Sequence, residues 1–162
     1  HFCRPDFVDE VKRQLTVSAA TPGSLVLEVT EGLVIGDIDD VVAKMTALSA
    51  YGLHFSMDDF GTGYSSLSYL KRLPIHELKI DKSFIDDVPA DPNDVALVET
   101  ILAVAQHLNL QVVAEGVETR AQADFLKARG EIIYQGYLFG RPEPVDAWLA
   151  NLSKTTQPGS AK

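Results

Sequence analysis

The chain has 162 residues, of which 46% are hydrophobic, and a formal net charge of −9. That length suits about one domain with a buried core, and the acidic balance argues against a nucleic-acid polymer as partner because no basic face offsets it. The single cysteine, Cys3, leaves neither a disulfide framework nor a cysteine metal knot and points to a cytoplasmic, reducing compartment. No apolar run reaches the length of a membrane span and no signal-peptide pattern occurs, so direct membrane insertion is not expected.

The predicted elements alternate between helical and extended. The chain opens at Phe2-Cys3-Arg4-Pro5 directly into a helical pattern, as the interior of a longer protein would. Phe7, Val8, Val11 and Leu15 have helical spacing, and Leu25 to Thr30 reads as a strand. Ile38, Val41, Val42, Met45 and Leu48 follow the 3.6-residue period in a helix stopped at Gly52. Leu53 to Met57 is the next strand, Ser65 to Leu73 a short helix closed by Pro74, and Glu77 to Ile80 a third strand. Leu97, Ile101, Val104, Ala105 and Leu108 share a helix face, and Gln111 to Ala114 forms a fourth strand. Thr119 and Gln122 fit a capping box for a helix ending near Gly130, and Glu131 to Tyr134 starts a fifth strand. Pro144 opens a last helix with Val145, Trp148 and Leu149 expected inward. Residues 153–162 read as a polar tail after a domain of residues 1–152.

Each strand-to-strand gap holds one helix, so the fold class is α/β, built of βα units on a parallel sheet. About five units fit, against the roughly 250 residues of an eight-unit barrel. The choice is between a small open sheet and a partial TIM-barrel-like domain.

The strands end on Glu28, Asp58-Asp59, Lys79, Glu115 and Gln135. Residues at the carboxyl ends of consecutive parallel strands meet at one rim. Carboxylates, a cation and an amide on a shared rim suggest metal-assisted hydrolysis. The sharpest segment is Met57-Asp58-Asp59-Phe60-Gly61-Thr62-Gly63-Tyr64-Ser65-Ser66-Leu67. Adjacent acids repel, and leaving both ionised calls for a cation. Gly61 and Gly63 permit a tight loop, and Ser65 or Ser66 suits a helix cap. Taken alone, the acid pair also fits a solvated turn.

This segment resembles the signature loop of the EAL-domain phosphodiesterases, bacterial enzymes that linearise cyclic di-GMP. Leu27-Glu28-Val29-Thr30-Glu31 resembles the family's E-x-T-E strand, and Leu78-Lys79-Ile80-Asp81-Lys82-Ser83-Phe84 its lysine strand. Val113 to Thr119 and Gln135-Gly136-Tyr137-Leu138-Phe139 resemble its last rim segments. The resemblance runs over roughly residues 1 to 150. It implies two Mg²⁺ or Mn²⁺ ions bridged by Asp58, with Asp59 and Glu115 completing one set and Glu28 serving the other. It further implies that Lys79 stabilises developing negative charge, Gln135 orients water or substrate, and Glu31 braces the loop of Gly61, Thr62, Gly63 and Tyr64. Arg141 is either a ligand contact or surface. Asp81 and Lys82 read as surface or loop-bracing residues, Glu118 as helix N-terminal charge, and His54, His76 and His107 as scattered.

No Glu-Ala-Leu occurs in the chain, and the family's asparagine strand is also unmatched. The resemblance thus implies one complete ligand set, one partial set and impaired turnover by this chain alone. The alternatives are a non-catalytic cyclic di-GMP receptor or a dimerising regulatory module, with a homodimer face on the 60s loop and the following helix.

Overall fold

The computed structural model describes residues 2–34, 37–62 and 67–149, with the side chain of Val34 outside that description. Five strands form one sheet: β1 (Val26–Thr30), β2 (His54–Phe60), β3 (Glu77–Ile80), β4 (Gln111–Glu115) and β5 (Ile132–Gln135). The helices are α1 (Phe7–Ser18), α2 (Glu31–Val34), α3 (Ile38–Ser49), α4 (Leu67–Leu70), α5 (Lys82–Ile85), α6 (Pro92–His107) and α7 (Arg120–Lys127), followed by α8 at 145–149. A 3-10 turn, Pro22–Ser24, leads into β1.

All four pairings are parallel and the spatial order is β1-β2-β3-β4-β5. A doubly wound sheet reverses its order at a switch point; this one does not. A sequential run of parallel strands joined by helices is the arrangement of a barrel segment. The sheet therefore matches the second of the two architectures open from sequence.

The pleat divides side chains between two faces. Val29, Phe55, Met57, Leu78, Ile80, Val112 and Ala114 join the main buried core, to which the helices contribute Val41, Met45, Leu48, Val98, Ile101, Ala105 and Leu126. The opposite face carries Glu28, Ser56, Asp58, Lys79, Val113 and Glu115. On the edge strands of that face Val26 and Ile133 are 50% and 44% exposed, so this surface is not closed over among the described residues.

Local signals explain the helix starts. Asp37 accepts from Asp39 N and Asp40 N at the head of α3, and Asp91 accepts from Asn93 N ahead of Pro92 in α6. Both halves of the Thr119–Gln122 capping box are present at α7. Short α2 and α5 are additions to the predicted elements, and β2 runs on to Phe60. The predicted helix over Ser65 to Leu73 is described only as α4, since residues 63–66 lie outside the described set.

The structure corrects two expectations. Val145, Trp148 and Leu149 face outward, at 66%, 50% and 52% exposure, because α8 follows the last described strand with no described element beyond it to cover them. His54 and His76 are not scattered: their rings lie 4.3 Å apart at the start of β2 and just before β3. That end of the strands is opposite the acidic rim.

Gly136, after β5, is where the backbones of two rim loops meet. Val117 N donates to Gln135 O, and Leu138 N donates to Val117 O, both at 3.1 Å. A Cβ on Gly136 would fall 2.2 Å from Val117 O. Backbone cannot rotate away as a side chain can. Gly136→Ala is expected to destabilise the fold by about 3 kcal/mol, as overpacking does. Denaturant unfolding checks this; a wild-type midpoint would contradict the close approach.

Candidate active site

Adjacent residues of a regular strand point to opposite faces, so Asp58 and Asp59 should diverge. They do not, because β2 bulges. Met57 pairs with Leu78 and Phe60 with Ile80, so three steps on β2 oppose two on β3. The extra residue re-aims the pair. Asp59 takes φ 53°, a left-handed conformation that Asp tolerates better than most side chains. Carboxylate oxygens of Asp58, Asp59 and Glu115 then lie within 4.8 Å of one another.

Gly61 has φ 99° and donates its backbone N–H to Glu31 Oε1 at 2.8 Å. Thr62 Oγ1 donates to Asp59 O at 2.9 Å. The predicted loop residues Gly63 and Tyr64 lie outside the described residues.

Lys79 holds the centre. It is 5% exposed, and its Nζ lies 2.6 Å from Glu115 Oε1, 2.8 Å from Glu28 Oε1 and 2.9 Å from Asp58 Oδ1. Sheet register accounts for the convergence: Thr30 stands beside Asp58, Lys79 beside Val113 and Glu115 beside Gln135. Burial opposes the charge on Lys79, but its bonds to Glu115, Glu28 and Asp58 outweigh that and hold its pKa above the ordinary lysine value.

Asp59 has a raised pKa, chiefly from the neighbouring charge of Asp58 and then from burial and Asp81. Asp81 moves the other way: Ser83 is the main cause of its lowered pKa, and its hydrogen bond with Asp59 also contributes. Of these two carboxyls Asp81 is therefore the easier to ionise and Asp59 the harder. A carboxyl that titrates higher in the folded state favours the fold at acid pH, and that advantage is lost as pH rises through the folded pKa. At neutral pH the metal-free acid pair is thus a source of repulsion.

These residues fit a divalent cation. The donors are hard carboxylate oxygens, clustered on one rim, and the repulsion that raises Asp59 is what a cation would relieve. Glu28 is outside the group of three and reaches the site through Lys79.

Gln135 ends β5 beside Glu115. A cleft of about 900 Å³ opens next to both, lined also by Tyr137, Phe139, Arg141 and Trp148. The Arg141 guanidinium lies 4.4 Å from the Tyr137 ring centre, and the Phe139 ring stacks on Tyr134 at 5.8 Å. Arg141 is exposed and lines this cleft.

Two groups of this region were not singled out for these contacts from sequence. Asp81 carries a charge that helps raise the Asp59 pKa and also caps α5 by accepting from Ser83 N. Glu118, expected to serve the helix dipole, instead pairs with Lys82 Nζ at 2.6 Å. Only the D-x-S pattern at residues 81–83 hinted at the first, as a cap.

The acidic rim, its buried lysine and the sequential parallel strands define a barrel-type site suited to cations and phosphate esters. A family profile described as EAL domain matches residues 1–142, and the chain belongs to that family. It is 47% identical over 152 residues to "Bifunctional diguanylate cyclase/cyclic di-GMP phosphodiesterase MucR" of Pseudomonas aeruginosa, covering 94% of this chain and 22% of that protein. The solved PaMucR phosphodiesterase, c-di-GMP complex, superposes with a TM-score of 0.85 at 48% identity, covering 91% of this chain and 60% of that one. The Klebsiella pneumoniae BlrP1 manganese/cy-diGMP complex gives 0.78 at 34% identity, over 87% of this chain and 36% of that one. The chain thus spans under a quarter of the length of MucR.

Asp59→Asn keeps a residue that accepts the left-handed backbone and removes one of the two repelling charges. In metal-free protein it is expected to raise Tm at neutral pH and to leave Tm unchanged below the ordinary Asp range, about pH 3.9. Any rise in Tm that Mn²⁺ gives the wild type is expected to shrink in the variant. Thermal scans check both; a lower Tm at neutral pH would contradict the repulsion.

Proposed function

We propose that the protein is a metal-dependent phosphodiesterase that opens cyclic di-GMP to linear pGpG. The observation that supports this most is the burial of Lys79 among Glu28, Asp58 and Glu115, with Asp59 completing the acidic cluster. Membership in a family whose relatives include a named cyclic di-GMP phosphodiesterase supplies the substrate.

Asp58, Asp59 and Glu115 would hold one divalent ion, Mg²⁺ or Mn²⁺, and Glu28 with Asp58 would contribute to a second. Such ions, when bound, stabilise charge on a phosphodiester and activate water for in-line attack. In the overall reaction a water oxygen bonds to phosphorus, one ring P–O3′ bond breaks, and the 3′ oxygen leaves with a proton. The product is linear, with a 5′ phosphate and a free 3′ hydroxyl.

The chain's own groups have distinct tasks. Lys79 is held as an ammonium among Glu115, Glu28 and Asp58, so it serves as a fixed donor to a phosphoryl oxygen, where negative charge grows. Gln135 offers an amide that orients water or a phosphate oxygen from the neighbouring strand. Glu31 fixes the loop through Gly61 N and thereby the backbone that carries Asp58 and Asp59. Arg141, packed on Tyr137, offers a cation and a π face to the ligand's phosphate or base.

Asp58→Asn is expected to cut Mn²⁺-dependent formation of pGpG about 100-fold or more, since it removes a charge shared by both ligand sets. Lys79→Ala is expected to lower turnover more than it weakens Mn²⁺ binding. Chromatography of the nucleotide products with calorimetry of Mn²⁺ uptake measures both. Undiminished turnover in Asp58→Asn would place the chemistry elsewhere, and tight cyclic di-GMP binding without any linear product would make the protein a receptor.

A further inference from the structure

We infer that Gln122, an α7 residue outside the acidic rim, is a positioning residue that ties the Lys79 arm of the site to the Glu115 arm. Gln122 is 4% exposed, and both ends of its amide are committed. Its Oε1 accepts from Glu118 N at 2.9 Å and from Thr119 N at 2.8 Å, in the loop that follows Glu115. Its Nε2 donates to Ile85 O at 3.0 Å and to Asp86 O at 3.2 Å, at the end of α5. Helix α5 starts three residues after Lys79. The amide therefore closes a ring that runs from Lys79 through α5, across Gln122, back along 118–115 and across the Glu115–Lys79 ion pair.

A capping box alone needs only one half of this. The acceptor Oε1 completes the box at the head of α7. The two donated bonds, to backbone 36 and 37 residues away, add nothing to the α7 cap. They fix α5 against the β4 loop. A buried amide with every partner supplied holds its neighbours in one arrangement, since releasing any of them leaves a polar group unpaired.

Lys82 makes a second tie between the same two segments. Its stem fills the space beside Gly116, where a Cβ would lie 2.3 Å from Lys82 Cγ, and its Nζ reaches Glu118 Oε1 at 2.6 Å. The β3–α5 and β4–α7 segments are thus fastened near the head of α5 by Lys82 and at its end by Gln122. Beyond the last β3–β4 register pair, Ile80 with Ala114, these ties set the spacing of the rim. Supporting contacts of this kind tune metal affinity and activity without touching the ion.

The inference rests on the metal-site reading above, and its test separates the two. The variants are Gln122→Glu, Lys82→Met and Thr119→Ala in the full-length protein, with Mn²⁺ alone as the probe. Gln122→Glu keeps acceptors for the α7 cap but turns an oxygen toward Ile85 O and Asp86 O. Thr119→Ala removes the hydroxyl half of the cap and keeps the tie to α5. Calorimetry is expected to give about tenfold weaker Mn²⁺ binding for Gln122→Glu, a smaller loss for Lys82→Met and less than about twofold change for Thr119→Ala.

Amide hydrogen exchange is the second readout. Residues 82–90 are expected to exchange faster in Gln122→Glu and Lys82→Met but not in Thr119→Ala. If wild-type protein takes up no Mn²⁺, the metal reading fails while this exchange pattern still decides the brace. Wild-type affinity and exchange in both Gln122→Glu and Lys82→Met would overturn the proposal, and so would an equal effect of Thr119→Ala. Should Gln122→Glu not fold, the exposed Lys82→Met decides by the same two criteria.

Discussion

The Lys79 ammonium lies 2.6, 2.8 and 2.9 Å from carboxylates of Glu115, Glu28 and Asp58, on a side chain that is 7% exposed. Those three residues come from three other strands. An ammonium taken out of water is stable only with partners close enough to replace its hydration, and clustered carboxylates are stable only with a cation among them. Each requirement answers the other, and β1, β2, β3 and β4 are held to a common rim by it. The helix-covered face supplies the apolar stabilisation that makes so acidic an edge tolerable, with Phe55, Leu78, Ile80 and Ala114 fully buried behind it.

One irregularity turns this rim into a site. Without the bulge in β2, Asp58 would join Lys79 while Asp59 pointed into the helix layer. The bulge and the left-handed backbone at Asp59 bring both to one face, at the cost of like charges side by side. Glu31 then holds the result by accepting from Gly61 N, while the charge of Asp81 adds to the repulsion on Asp59. In the absence of a divalent ion Lys79 is the only cation bonded to Asp58 and Glu115 among the described ion pairs. In the proposed function the same carboxylates would serve two cations, the built-in lysine and a metal.

Much of this was legible in the sequence because strand interiors and strand ends differ so sharply in polarity. Leu78-Lys79-Ile80 and Val113-Ala114-Glu115 announce both the strand and the residue at its mouth. The short helices were harder. Helix α5 has four residues, too few for a period, and its cap, Asp81, reads from sequence as a surface or loop-bracing residue. The bulge left no local mark, since Asp58-Asp59-Phe60 reads equally well as the end of a strand and the start of a turn. Gln122 declared its cap through Thr119, while its bonds to Ile85 and Asp86 span 37 and 36 residues and depend on packing. Val145, Trp148 and Leu149 have an inward-facing spacing, yet spacing says only that they share a side, and that side meets the cleft and solvent.

The central claim is that the acids of β2 and β4 share a cation with Lys79 standing by. The most direct measurement is a crystal structure of the protein grown with Mn²⁺, with the ion located by its anomalous scattering. The account predicts a manganese peak among the carboxylates of Asp58, Asp59 and Glu115. A peak bound elsewhere, with Lys79 still the sole cation touching Asp58 and Glu115, would contradict it.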